Sequence, residues 1–338
     1  MVNQCREHFR RTVIISLLCW VVHAKGDGYA AEKLIGLHSA RVMSQSLPWI
    51  AQEAGIFKKY DLDFPLVYAA ASSAVTAAML SGGGEIALTG GEGIIRTFVQ
   101  GINDFVFIGG VKNVLTHSIL AKPEIRKPED LKGKKVGLGR IGGNPHYFAI
   151  QALRQKGLDP TRDVTFIQTG GAPETLAALA AGGVDAGVLT APGDAQAVAL
   201  GFSYVVYGPD LRMPFAAAAF VTRRPVIAQR SHVLGQFMRA MAEAAKIIHT
   251  DREFTYKVLE KQLRLADRKI LDASYNLEIK VLETKLDLKP EGLQAILDDV
   301  SKVDPRAKKV KPQDLMDRRY IDEMEKSGFF NKLWGGKG

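Results

Sequence analysis

Residues 77–91, AAMLSGGGEIALTGG, and residues 177–192, AALAAGGVDAGVLTAP, follow the same pattern one hundred residues apart. Each stretch predicts a helix end, a glycine stop, an acidic residue, a short buried strand and a small-residue turn that opens the next helix. In α/β proteins, ligands bind beyond the carboxyl ends of strands and over helix N-termini. A chain that builds this arrangement twice is expected to bind a ligand between two similar lobes. A chance match between two alanine-rich helix ends is the alternative.

The composition predicts a water-soluble protein of two domains. Of its 338 residues, 46% are hydrophobic and 24% are charged, and each half is long enough to bury its own core. The formal net charge is +9, and removal of residues 1–31 would leave +7. This excess is scattered and lacks the aromatic-interleaved basic pattern of nucleic-acid-binding proteins. We therefore expect no nucleic-acid partner, although a modest positive charge helps to attract anionic solutes.

Residues 1–31 are predicted to be a signal peptide. A basic region with three arginines precedes an apolar run, residues 12–22, that is too short to span a bilayer. Small residues between Ala24 and Ala31 offer cleavage sites. Export to the periplasm is expected, by either the general secretory route or the twin-arginine route.

The sequence also argues against several kinds of catalytic site. Both cysteines, Cys5 and Cys19, lie in the predicted signal peptide, so the mature chain would have no disulfide, thiolate metal site or cysteine nucleophile. The motifs Gly-x-Ser-x-Gly, His-Glu-x-x-His and the phosphate loop ending in Gly-Lys-Ser/Thr are absent. Glu85 and Asp185 precede strands at equivalent places in the repeated pattern, which favours a structural role. We expect no catalytic residue, metal or cofactor.

After residue 31, predicted strands and helices alternate, which indicates parallel sheets with crossover helices. Strands are predicted at residues 34–38, 62–68, 86–88, 105–108, 118–121, 136–138, 164–168, 187–189, 204–207 and 216–222. Helices are predicted at residues 48–59 with an irregularity at Gly55, then at 72–80 with Ser72 and Ser73 as N-caps, and further at about 91–99, 145–156, 173–181, 195–200, 233–249, 254–263, 269–278, 290–300 and 320–326. Chain crossings near residues 118–121 and 218–223 are expected to be hinges between lobe 1, residues 32–119 and 222–338, and lobe 2, residues 120–221.

Four phrases in this order resemble a known family. They are PWIAQEAGIFKKY at residues 48–60, PEDLKGKKVG at 128–137, GLDP at 157–160 and ALAAGGVDA at 178–186. Over residues 33–335 the chain resembles extracytoplasmic solute-binding proteins of the nitrate/taurine/alkylsulfonate type (NitT/TauT, SsuA-like), which serve ABC importers. The resemblance implies an α/β fold of the two-lobed periplasmic-binding-protein type (type II), in which two hinge crossings join the lobes and the ligand binds in the cleft.

The same resemblance implies a function and partners. The protein would be the substrate-binding component of an ABC importer, a monomer that captures a small, anionic organic solute and delivers it to a permease with its ATPase subunit. Two alternatives remain open: a metabolic enzyme on the same scaffold, and a ligand-sensing module for a membrane sensor. The enzyme of this kind that synthesises a thiamine-pyrimidine precursor carries a cysteine-rich, iron-associated motif, which has no counterpart here.

Ligand contacts are expected in loops that end strands and precede helices, because unpaired N–H groups and the helix macrodipole favour an anion there. In lobe 1 these residues are Ser39, Ser72, Ser73, Thr89, Gly90 and Gly91. In lobe 2 they are Gly142, Gly143, Asn144, Thr169, Gly170, Thr190 and Ala191. For the serines and threonines, simple helix capping is an equally good interpretation.

Two further pairs of residues are candidates for the cleft. Asn113 and His117 lie between the fourth strand and the first crossing, although a lone histidine is more often structural. Arg41 and Arg140 flank cleft loops, and a guanidinium suits bidentate binding of carboxylate or sulfonate. A solvated loop arginine is the alternative for both.

Overall fold

The computed structural model describes residues 31–336, so the predicted signal peptide lies outside it except for Ala31. The strands in this part are β1 (Glu32–Lys33), β2 (Gly36–His38), β3 (Leu62–Asp63), β4 (Leu66–Tyr68), β5 (Ile86–Thr89), β6 (Phe105–Leu115), β7 (Ser118–Ala121), β8 (Lys134–Leu138), β9 (Val164–Gln168), β10 (Ala186–Leu189), β11 (Ser203–Val206) and β12 (Met213–Arg223). The helices are α1 (Leu47–Glu53), α2 (Ile56–Lys59), α3 (Ser72–Leu80), α4 (Gly91–Val99), α5 (Asn144–Gln155), α6 (Ala172–Ala180), α7 (Gly193–Ala199), α8 (Arg224–Thr250), α9 (Arg252–Leu263), α10 (Arg268–Glu278), α11 (Pro290–Ser301), α12 (Arg319–Lys326) and α13 (Phe329–Leu333). Within residues 31–336, no helix is both long and apolar enough to cross a membrane.

Two five-stranded sheets carry the fold. The first has the order β4-β2-β5-β12-β6 and the second has the order β11-β7-β10-β8-β9. In each sheet three neighbouring strands are parallel, and the strand beside them, β12 or β7, is antiparallel to both of its neighbours. The predicted α/β class with two similar halves is confirmed. Strands β1 and β3 form a separate parallel pair.

The repeated sequence pattern builds the same structure in both sheets. Gly83 N–H donates to the carbonyl of Ala78 at 2.8 Å, and Gly183 N–H donates to that of Ala178 at 2.9 Å. The acidic residues that follow are also equivalent. A carboxylate oxygen of Glu85 accepts the N–H of Ile35, and one of Asp185 accepts the N–H of Lys135. Both carboxylates therefore fasten a neighbouring segment of backbone 50 residues earlier in the chain.

The chain passes between the sheets at places other than those predicted. Residues 118–121 form β7, which is paired on both sides within the second sheet. Residues 218–223 belong to β12, which is paired within the first sheet. The crossings are therefore residues 116–117 and 207–212, because regular strand pairing occupies the predicted hinge positions. The lobe boundaries predicted at 119/120 and 221/222 fall inside these two strands.

Three local predictions also need correction. Strand β6 continues to Leu115, beyond the predicted end at 108, because β12 pairs with it as far as that residue. The predicted strand 62–68 is divided into β3 and β4, with Pro65, which has no N–H to donate, between them. Ser72 and Ser73 are not N-caps, since α3 begins at Ser72 and the N-cap position is held by Ala71. The irregularity predicted at Gly55 is confirmed, because this residue, at φ 70°, separates α1 from α2.

Two large hydrophobic cores support this architecture. One core packs α1, α2, α8 and the C-terminal helices against one face of the first sheet. The other covers the opposite face of that sheet and continues into the second sheet. The sheets are thus held in one compact body, with their strand ends facing a shared space.

Candidate functional site

A cavity of about 90 Å³ lies between the two sheets, and four helices begin at it. Helices α3 and α4 follow strands of the first sheet, and α5 and α6 follow strands of the second. Their N-cap residues, Ala71, Gly90, Gly143 and Gly171, all line the cavity. None of the four helices has a side-chain cap, so their first-turn N–H groups are left for water or a ligand. The arrangement places four positive helix ends around one space.

The loop after β2 forms one wall of the cavity and is held by Gln45. The side-chain nitrogen of Gln45 donates to Oγ of Ser39 at 2.8 Å. Its oxygen accepts the N–H groups of Ser39 and Ala40, both at 3.0 Å. This loop is therefore fixed without a ligand, and the hydroxyl of Ser39 keeps its proton available for donation to a solute.

A buried ion pair lies beside the cavity, and its lysine, Lys112, lines the cavity. Nζ of Lys112 donates to both carboxylate oxygens of Glu278, at 2.6 and 2.8 Å, and to the hydroxyl of Thr116 at 2.5 Å. The hydroxyl of Thr116 lies 3.2 Å from that of Thr190, which comes from the second half of the fold. Because all three protons of Lys112 are used and its charge is neutralised, this lysine contributes little net charge to the cavity.

His117 lines the cavity as a neutral imidazole. Burial, reinforced by the positive charge of Lys112, lowers the pKa of His117 to about 3. Its Nδ1 atom is buried and has no hydrogen-bond partner among residues 31–336, and the same holds for Oγ of Ser72 and Oδ1 of Asn144. The cavity therefore has unfulfilled hydrogen-bonding capacity of a neutral, polar kind.

Two arginines lie in or beside the lining of the cavity. Arg140 lines it, and the guanidinium of Arg41 lies 4.8 Å from the ring of Tyr68, which also lines it. Burial raises the pKa of Tyr68, and the nearby carboxylate of Glu174 adds to the effect. Among the described residues, no aspartate or glutamate lines the cavity. The electrostatics thus favour an anion.

The structure brings together nine of the seventeen residues predicted to contact a ligand. The cavity is lined by Ser39, Ser72, Gly90, His117, Arg140, Gly143, Asn144, Gly170 and Thr190. The other eight lie outside its lining: Arg41, Ser73, Thr89, Gly91, Asn113, Gly142, Thr169 and Ala191.

Two of these outer residues make structural hydrogen bonds instead. The amide nitrogen of Asn113 donates to Glu283 and to the carbonyl of Asp287, and its oxygen accepts the N–H of Lys289. Asn113 therefore anchors the segment after α10. Thr169 donates to the carbonyl of Leu138 at 2.9 Å, which ties together the ends of β8 and β9.

Sequence reasoning missed several polar residues of the lining. The strand that carries Lys112 is predicted to end at residue 108, so the sequence does not place Lys112 near the cleft. Gln45 lies in a short helical turn, residues 43–45, where no strand-end rule applies. Tyr68 ends β4 and could have been found by the same rule that selected Ser39.

Within residues 31–336, no cluster of three or more histidine, cysteine, aspartate or glutamate side chains could hold a metal ion. A second, more open cavity of about 660 Å³ lies on the first half of the fold. Its lining includes the aromatic side chains of Trp49, Phe57 and Phe64. It also includes the basic side chains of Arg41, Lys261 and Arg264. Tyr68 is common to both cavities.

Known proteins with this fold include binding proteins and an enzyme. The alkanesulfonate-binding protein SsuA from Xanthomonas axonopodis pv. citri, bound to MOPS, superposes with a TM-score of 0.71 at 19% identity, over 85% of this chain and 98% of that one. The periplasmic aliphatic sulphonate-binding protein SsuA from Escherichia coli gives 0.65 at 23% identity, over 84% and 98%. The desulfurization enzyme DszB, in complex with biphenyl-2-sulfinic acid, gives 0.66 at 12% identity, over 88% and 99%. At these identities the likeness shows a shared fold.

The sequence comparison identifies the family. No curated protein matches the chain by sequence. The family model described as NMT1/THI5 like matches residues 47–253, which is more than half of the chain. The resemblance to SsuA-like proteins of the nitrate/taurine/alkylsulfonate type is confirmed. The chain therefore belongs to the NMT1/THI5-like family, and it has the periplasmic-binding-protein fold of the SsuA proteins.

Proposed function

We propose that the protein is the substrate-binding component of an ABC importer and that it captures a small organic anion between its two lobes. The observation that carries the proposal is the meeting of four uncapped helix N-termini at one cavity. Unpaired N–H groups and aligned peptide dipoles stabilise negative charge at such places. Arg140 adds a full positive charge to the lining.

The size and polarity of the cavity restrict the solute further. A volume of about 90 Å³ suits a compact molecule with few heavy atoms. Ser39, His117 and Thr190 offer neutral hydrogen-bonding groups beside the helix ends. These features fit a short sulfonate or carboxylate, and we propose the nine predicted residues that line the cavity as its contacts.

A binding role accounts for the cavity better than catalysis does. His117 has no hydrogen-bond partner at Nδ1 among the described residues, so no carboxylate orients it as a general base. The hydroxyl of Ser39 is held by the amide of Gln45, which cannot accept its proton in a reaction. DszB shows that the fold can carry an enzyme, but among the described residues the cavity lining holds no hydrogen-bonded pair of nucleophile and base.

The wider biological setting follows from this role. Residues 1–31 would direct export to the periplasm, where the monomer would load solute and present both lobes to a permease with its ATPase subunit. A sensory role would differ only in the membrane partner, so neighbouring genes for a permease and an ATPase, rather than for a sensor kinase, would support transport.

A thermal-shift screen tests the ligand class. Taurine, short alkylsulfonates, nitrate, benzoate and a pyrimidine are added separately to the protein. Mass action predicts that a true ligand at one hundred times its Kd raises the free energy of unfolding by about 2.7 kcal/mol. We expect this stabilisation from a sulfonate or carboxylate. Stabilisation by the uncharged pyrimidine alone would contradict the anion proposal, and conversion of the ligand, followed by NMR, would contradict a purely binding role.

A substitution in the cavity tests the site. Thr190→Arg places a long side chain in the cavity, and we expect it to weaken ligand binding at least tenfold while leaving the melting temperature of the free protein little changed. Thr165→Arg is the matched control, because Thr165 is exposed on β9 outside the lining. Isothermal titration with the solute from the screen measures both. Binding by Thr190→Arg at wild-type strength would show that the site lies elsewhere.

A further inference from the structure

One face of α5 carries three polar contacts between the two halves of the fold. Asn144, Tyr147 and Gln151 follow the helical spacing that aligns side chains on a single face. The hydroxyl of Tyr147 donates to the carbonyl of Ala295 at 3.4 Å, and the amide of Gln151 donates to Asp299 at 2.9 Å. Both acceptors lie on α11, which packs on β12 of the first sheet. Helix α5 therefore docks the second half of the fold onto the first.

Asn144 makes the contact of this face that lies at the cavity itself. Its side-chain nitrogen donates to the carbonyl of Ala217 on β12 at 2.8 Å. A carbonyl can only accept a hydrogen bond, so the orientation of the amide is settled by this partner. The opposite atom, Oδ1, then points away from Ala217 and is buried without a hydrogen-bond partner among the described residues.

Gly90 is shaped to receive this amide. A β-carbon added at residue 90 would have Oδ1, Cγ and Nδ2 of Asn144 as its three nearest atoms, and it would overlap them. The three closest conflicts are thus all with the amide group of one side chain from the other half of the fold. Glycine at 90 therefore allows Asn144 to approach Ala217.

We propose that Asn144 is a positioning residue that latches the two halves of the fold together over the cavity, with Gly90 as its seat. This deepens the proposed function, because a binding protein retains its solute by closing on it. The latch hydrogen bond is made when α5 meets β12 and is lost when the halves separate. It stabilises the closed form through a contact between the two halves, so it shifts the open–closed equilibrium for any ligand.

The test measures the separation of the halves directly and needs no ligand. Spin labels are attached at Ser81→Cys and Ala181→Cys, which are exposed positions at the ends of α3 and α6 remote from the cavity. Cys5→Ser and Cys19→Ser are introduced in the full chain so that no other thiol is labelled. Pulsed electron spin resonance then gives the distribution of distances between the two labels.

The variants predict a specific pattern of distances. The free wild type is expected to populate both forms, and Asn144→Ala should enlarge the share of the longer, open population. Gly90→Ala should enlarge it further. Combining both should relieve the clash, because alanine at 144 removes the three atoms nearest to a methyl group at 90. The double variant should then be no more open than Asn144→Ala alone. A merely destabilising effect of each substitution would instead add up.

An isosteric variant and a control complete the experiment. Asn144→Asp keeps the shape but turns an oxygen towards the carbonyl of Ala217, so it should open the protein and should not rescue Gly90→Ala. Gly183→Ala is the control, because its methyl group would have only Ala178 nearby, at 3.5 Å, and its distances should match the wild type. Melting temperatures show that each variant is folded.

Two outcomes would overturn the latch. One is an unchanged distribution in both Asn144→Ala and Asn144→Asp. The other is a double variant as open as Gly90→Ala alone, which would place the clash elsewhere. Since these distances are recorded without solute, the latch can fail while the ligand screen succeeds, and the reverse also holds.

Discussion

His117 lies at the first crossing between the sheets, where the protein keeps an imidazole neutral. In the unfolded chain this group takes up a proton near its ordinary pKa of 6.5, whereas the folded protein holds the pKa at about 3. Between these values the unfolded state binds more protons than the native state. Stability contributed by the neutral form is therefore present above pH 6.5 and lost as the pH falls below it.

Replacing His117 should make the protein less sensitive to acid. Between neutral pH and about pH 5, we expect the wild type to lose ~2 kcal/mol of unfolding free energy more than His117→Gln. Urea denaturation at a series of pH values measures this difference. Parallel pH curves for the two proteins would contradict it.

Asp194 has an effect on the pH dependence of stability that is opposite in sign to that of His117. Burial raises its pKa to about 6, from an ordinary value of 3.8, so the native protein holds this proton more tightly than the unfolded chain does. Its effect on stability therefore grows less favourable as the pH rises through this window. Asp194→Asn should stabilise the protein at neutral pH and leave stability at about pH 4 nearly unchanged, which the same denaturation series would show.

At the scale of elements, the ion pair of Lys112 with Glu278 joins α10 to β6. Lys112 is the eighth of the 11 residues of β6, and Glu278 is the last residue of α10. Both side chains are almost wholly buried, at 3% and 1% exposure. A buried pair of this kind gains little over an apolar pair, but removal of one partner leaves an uncompensated charge inside the protein.

Loss of one member of this pair should therefore cost more than loss of both. Glu278→Gln is expected to lower the free energy of unfolding by about 3 kcal/mol. Lys112→Met combined with Glu278→Leu should recover most of that loss, since no charge then remains buried. Chemical denaturation compares them. Glu253→Gln, which breaks the exposed ion pair with Arg268, is the control and should change little. Equal losses in the single and double variants would disprove the argument.

At the scale of the whole molecule, two short crossings connect the sheets and also contact each other. The backbone N–H of Gly208, in the second crossing, donates to the hydroxyl of Ser118, where β7 begins, at 3.0 Å. A β-carbon at residue 208 would overlap the carbonyl of His117 in the first crossing, so glycine permits this approach. Rotation about the adjacent crossings would move the starts of α3 and α4 away from the starts of α5 and α6. This is how a hinge opens a cleft.

This geometry predicts compaction when solute binds. Small-angle X-ray scattering should show a smaller radius of gyration after addition of the solute found by thermal shift. Thr190→Arg should remain at the radius of the free protein under the same conditions, which controls for non-specific effects of the additive. An unchanged wild-type radius at saturation would contradict hinge closure.

The alternation of elements could be predicted because it depends on short-range patterns. Apolar runs of strand length, separated by amphipathic segments and glycine stops, marked nearly every strand and helix in the described residues. The hinge positions could not be predicted in this way. Residues 118–121 and 218–223 are mostly apolar and of strand length, and only their pairing partners assign them to the second and first sheets.

The candidate site shows the same division. Strand-end glycines and hydroxyls such as Gly90 and Thr190 could be selected, because the rule that ligands bind beyond strand ends applies to each βα unit separately. Asn113 does not lie in a turn between a strand and a helix, so this rule does not apply to it. Its hydrogen-bond partners Glu283, Asp287 and Lys289 are about 170 residues away in sequence. Lys112, on β6, and Gln45, in the turn at residues 43–45, also line the cavity. The positions of these two elements depend on long-range packing.

The sequence by itself determined the fold class, the family and the duplicated frame, in which Glu85 and Asp185 hold the backbone in the same way. It did so because hydrophobic periodicity and glycine stops act within a few residues of one another. The tertiary structure alone decided which turns meet. The first copy contributes the uncapped start of α4 at Gly90 and the second contributes Thr190, and both line one cavity because the crossings turn the two sheets towards each other. Asn144 then fits against Gly90, a contact between distant segments that no local pattern encodes.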